Sequence, residues 1–148
     1  MSSGFHLRYR SLLGIVTPTS QSKSAMKALS VKQPWAWAII HGGKTIENRP
    51  RRTHLRGKIA IHASAQPRRE WEFPARARKP PPQEKWVLGA IIGFVDVVDC
   101  VHNHRSKWFQ GPFGYLLANP RPLRAPVPCK GALGFWKIPT HILRRCRI

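Results

Sequence analysis

Lys44, Glu47 and Arg49 fall within six residues, a spacing that can set one carboxylate between two cations. Between residues 44 and 62 Glu47 is the one acid among eight basic side chains: Lys44, Arg49, Arg51, Arg52, His54, Arg56, Lys58 and His62. If it points into a cleft beside the two cations, it fixes them in place for a phosphate or a base edge. It can also accept a hydrogen bond from a base amino group, which a lysine cannot do. The plainer reading is a structural ion pair tying a strand to the body of the fold. On an ideal strand Lys44 and Glu47 point to opposite faces, so a bulge or a turn at Gly43 must bring them together.

Arg51, Arg52, Arg56 and Lys58 follow as a loop suited to phosphates, a sequence-independent and salt-sensitive grip. Of six tryptophans most belong in a core. Trp108, between Lys107 and Gln110 in a polar stretch, is the best candidate for an open stacking surface. Lys44 and His62 could serve proton transfer if the protein is an enzyme. Cys100, His102 and His104 share a strand face and could meet Cys129 around zinc. Structural zinc sites use tighter paired knuckles, so no metal and no cofactor is expected.

The chain has 26 Lys and Arg against six acids, net +20. Three of these cations lie in residues 1–25 and three in 141–148, which leaves +14 on residues 26–140. The basic character therefore belongs to the folded part and points to a polyanion partner, nucleic acid first. No apolar run reaches the roughly 20 residues of a membrane span. The longest, WVLGAIIGFVDVVDCV, is broken by Gly89, Gly93, Asp96 and Asp99. Three cysteines without a CxxC pair argue against a disulfide scaffold and suit a reducing cytoplasm. The apolar SLLGIVTP near the start lacks a cleavage pattern and makes a poor signal peptide.

Residues 1–25 read as a loosely ordered basic leader, 26–140 as one domain, and 141–148 as a basic tail. KALSVKQ predicts a strand and PWAWAIIHGG a short helix ended by Gly42 and Gly43. KTIENR and KIAIHA alternate as strands. Residues 65–85, with five prolines and many charges, form a surface excursion with one helical turn near Arg69 to Phe73. A long bent strand over 86–101, then short strands at FGYLLAN, LRAPVP and LGFWKI, complete an α+β, mainly β pattern. It predicts a small closed β-barrel with one or two flanking helices. No oligomer seam is visible, so a monomer is expected.

Gly42, Lys44, Glu47 and Arg49 in LSVKQPWAWAIIHGGKTIENR match the Gly-x-Lys-x-x-Glu-x-Arg pattern, preceded by Gln33–Pro34–Trp35. With RGKIAIHAS, LGAIIGFVDVVDC, FGYLLANP and PVPCKGALGFWKI in order, residues 27–138 resemble an ASCH domain. The resemblance implies a PUA-like barrel with a cleft for RNA or a nucleotide. The residues expected to contact the nucleic acid are Gln33, Trp35, Lys44, Glu47, Arg49, Arg51, Arg52, Arg56, Lys58, His62, Trp108 and Lys130. One similar bacterial protein removes acetyl from acetylated cytidine with a Lys, a Thr and a distant Glu; another family member is described as cleaving RNA. Here Lys44 matches, Glu47 replaces the Thr, and the segment expected to hold the distant acid, residues 102–110, has none. A hydrolase using Lys44 and Glu47 is the alternative to a binding module.

Overall fold

The structure, a computed structural model, describes residues 26–148; the expected leader over 1–25 lies outside the described residues. The chain runs β1 (Lys27–Val31), α1 (Trp35–His41), β2 (Ile46–Arg49), β3 (Gly57–Ala63), β4 (Ala90–Val101), β5 (Phe113–Pro128), β6 (Phe135–Lys137) and α2 (Thr140–Leu143). All six strands join one sheet in the order β2-β5-β4-β3-β1-β6. β1 and β3 are parallel and the other pairs antiparallel.

The sheet curls into a half-barrel of the expected PUA-like architecture. Its border strands, β2 and β6, are not hydrogen-bonded to each other, so the closure expected of the barrel comes from side chains. Arg49 of β2 reaches across to donate to the Ser30 carbonyl of β1 at 2.8 Å. Tyr115 of β5 stacks on Phe135 of β6, with centroids 5.7 Å apart.

Alternation along the strands builds two apolar layers. On β1 Leu29 and Val31 enter the main core, whereas Ala28 faces a second one; on β3 Ile59 and Ile61 oppose Ala60 in the same way. The main core takes Ala36, Ile39 and Ile40 from α1. The second contains Ile91, Phe94, Leu123, Ile138 and Ile142, so the basic tail begins as a helix seated on the sheet.

FGYLLAN and LRAPVP are one sixteen-residue strand. Three register shifts against β4, and Asn119 at φ 55°, bend it where an even ladder would break. The 65–85 excursion has no helical turn at 69–73; its one short helix is a 3-10 turn at Gln83–Lys85. Phe73 explains the difference: it is buried with its ring 4.9 Å from that of Trp35, and this contact overrides local preference.

Candidate functional site

α1 ends where an added Cβ at Gly42 would lie 2.7 Å from the Trp37 ring and 2.9 Å from the Ala38 backbone. Only glycine fits so close to the preceding turn. Gly43 then takes φ +77°, and the Lys44 amide bonds back to the Ala38 carbonyl at 3.0 Å. This tight exit resolves the parity problem. Strand β2 begins only at Ile46, so Lys44 swings beneath it to meet Glu47.

Lys44 is 4 % exposed. Its Nζ donates to the Ile46 carbonyl, lies 3.9 Å from Glu47 Oε1, and sits 5.2 and 5.3 Å from the ring centroids of Trp35 and Trp108. Burial pushes its pKa below the usual lysine value; Glu47 opposes that shift and Arg49 adds to it. Arg49 donates Nε to Glu47 Oε2 at 2.9 Å and a second nitrogen to the Ser30 carbonyl. Glu47 therefore holds two cations from one nearly buried carboxylate. Asn48 clamps the next loop, donating to the Trp108 carbonyl and accepting from the amides of Gln110 and Gly111.

His62 is buried in a chain of donors and acceptors. Its Nε2 lies 2.9 Å from the Cys129 carbonyl, which only accepts, so Nε2 carries the proton. Trp136 Nε1 donates to Ser30 Oγ at 2.9 Å, leaving the hydroxyl to donate to His62 Nδ1 at 3.1 Å. Burial lowers the His62 pKa, in keeping with a neutral ring, although the Cys129 carbonyl opposes this. Both ring nitrogens are engaged, and neither is free to take a proton from a substrate. A Cβ at Gly131 would meet the His62 ring at 2.5 Å and Ser30 Oγ at 2.6 Å, so glycine is needed there too.

These residues border a cleft of about 760 Å³. Trp35, Lys44, Glu47, Arg49, His62, Trp108 and Lys130 all line it. The remaining sequence candidates lie elsewhere. Gln33 is buried as a brace, accepting from the Trp37 amide at 2.8 Å and donating to the Val87 carbonyl at 3.0 Å. Arg51 and Arg52 are exposed, Arg52 over the Phe113 ring. Arg56 caps its own loop carbonyls and lies 3.6 Å from Asp99. Lys58 lies over Phe94 of the second core. The cleft also receives Lys32, Arg68, Glu72 and Lys107, none of which local sequence pattern had marked. Glu72 places a second carboxylate in the cleft lining, from the 65–85 excursion and not from residues 102–110. Among the described residues no three His, Cys, Asp or Glu side chains converge as metal ligands, and no helix is long and apolar enough to cross a membrane.

The model of the ASCH domain matches residues 29–115, more than half of the chain and all of the Lys44–Glu47–Arg49 cluster. The chain belongs to the ASCH domain family. Two variants of an ASCH protein from Zymomonas mobilis share the fold at 18 % and 16 % identity. Each superimposes with a TM-score of 0.50, over 83 % and 82 % of this chain and 94 % and 95 % of theirs. Among curated proteins, Activating signal cointegrator 1 of Homo sapiens is 29 % identical over 142 residues, and that of Mus musculus 27 % over 130. Each match takes in 77 % of this ASCH chain and only 22 % of the relative, so the chain spans about a fifth of those proteins' length.

Proposed function

We propose that this ASCH domain binds single-stranded RNA, with one nucleotide in the cleft, acting as a monomer in a reducing cytoplasm. The observation that carries the reading is the arrangement of charge. The cleft floor holds Lys44, Glu47 and Arg49 in fixed positions, while Lys32, Arg68, Lys107 and Lys130 line the same space. A volume of about 760 Å³ is within the ~300–1,000 Å³ usual for small-ligand sites. The indoles of Trp35 and Trp108 supply apolar wall, and the chain's net +20 supplies long-range attraction. RNA titrations over a range of salt concentrations test this. The log–log slope should be about −0.7 for each phosphate neutralised, and a salt-independent affinity would overturn the reading.

A second reading, hydrolysis of RNA or of a modified nucleoside such as acetylated cytidine, is favoured by one observation. Lys44, with its lowered pKa, shares the cleft with two carboxylates, Glu47 and Glu72. A lysine closer to neutrality is suited to proton transfer. Lys44→Met keeps an apolar stem against the indoles and separates the readings. Turnover abolished with binding retained supports the enzyme, and equal loss of both supports the binding module.

A further inference from the structure

The aromatic side chains of the 65–85 excursion form a path that starts in the cleft and ends outside it. Phe73 touches both indoles that flank Lys44, with centroids 4.9 Å from Trp35 and 5.5 Å from Trp108. Trp71 packs edge-on to Phe73 at 5.1 Å and to Trp86 at 6.1 Å. Phe73 is buried, but Trp71 keeps 39 % of its surface open. One ring thus separates an exposed indole from the cleft wall.

The charges around Trp71 are equally specific. Arg68 and Glu72 line the cleft itself, and Arg69 and Glu70 are exposed beside the indole. Among the described residues neither Glu70 nor Glu72 joins an ion pair, and together they are two of the chain's six acids. Carboxylates repel phosphates and accept from base amino groups; guanidiniums hold phosphates. A strand crossing this segment would set its backbone against the arginines and its base toward the indole and the acids.

Resting on the RNA-binding reading above, we propose that residues 68–73 form a second nucleobase subsite. A strand with one nucleotide in the cleft passes Arg68 and stacks a neighbouring base on the exposed face of Trp71. Two probes test this: a nucleoside monophosphate, which reaches only the cleft, and a single-stranded oligonucleotide of about eight nucleotides, long enough to cover both. Trp71→Ala should weaken the oligonucleotide about five- to a hundred-fold and leave the monophosphate unchanged, since stacking is removed at the outer subsite alone. Trp71→Phe should recover most of that affinity. Unchanged oligonucleotide affinity in Trp71→Ala, with the monophosphate still bound, overturns the subsite and leaves the cleft reading standing. Equal weakening of both probes also overturns it, because Trp71 would then only prop Phe73. Failure of the unaltered protein to bind either probe removes the cleft reading and the subsite with it.

Discussion

The cations of the cleft and those of the loop between β2 and β3 are neighbours in sequence, yet they are held in opposite ways. Arg49 makes hydrogen bonds to a carboxylate and to a carbonyl, and the buried Lys44 lies against two indoles. Arg51, two positions further on, is exposed, as is Arg52, which rests on Phe113. The difference lies in Glu47. Around the nearly buried Glu47 the cations are held in place; Arg51 and Arg52 have no such partner, and Arg56 meets only the exposed Asp99, so these stay in water. Fixed cations define a shape, and free ones define only a field that draws polyanions from a distance.

The strongest way to break this contrast is to remove the acid. Glu47→Ala leaves the buried Lys44 and the partly buried Arg49 without their shared partner. Breaking one side of a buried pair costs about 3–5 kcal/mol. Urea denaturation should show that loss; an unchanged midpoint would place the cleft cations in the same class as the loop. A smaller effect is expected at Gly131. Gly131→Ala forces a methyl against His62 and Ser30, and overpacking of this kind costs about 1–3 kcal/mol. Thermal melting checks it, and a wild-type melting temperature would show that the 129–134 loop yields freely. The smallest stability effect belongs to the loop. Arg51→Ala with Arg52→Ala should shift stability by no more than about 0.5 kcal/mol. The same pair should reduce the salt slope of RNA binding by about 0.7 for each phosphate that the two arginines neutralise. A large drop in stability, or an unaltered slope, would erase the distinction.

Much of this was legible in the sequence because it is local. The helix stop at Gly42, the alternation in β3 and the Lys44–Glu47–Arg49 cluster depend on residues a few positions apart. The structural half of Glu47's role was one of two readings the sequence left open, and the ion pairs make that half visible. Long-range placement was not legible. Ser30 meets His62 only because β1 pairs in parallel with β3, and a hydroxyl within KALSVKQ gives no hint of it. Arg68 and Glu72 enter the cleft because the buried Phe73 pins the excursion on Trp35, a contact between segments nearly forty residues apart. Asn48 has the pattern of one more alternating strand residue, yet it anchors the Trp108 loop. Gln33, conversely, stands in the motif beside Trp35 and turns inward to brace the backbone.

The two borders of the sheet meet through a guanidinium and a stacked ring pair, so the hollow proposed for RNA lies along the molecule's own seam. An anion that captured Arg49 would compete with the very fastening that keeps β2 against β1. Occupancy and the tightness of the curl would then be coupled, and a guest in the hollow would be felt by the strands that the seam holds in line.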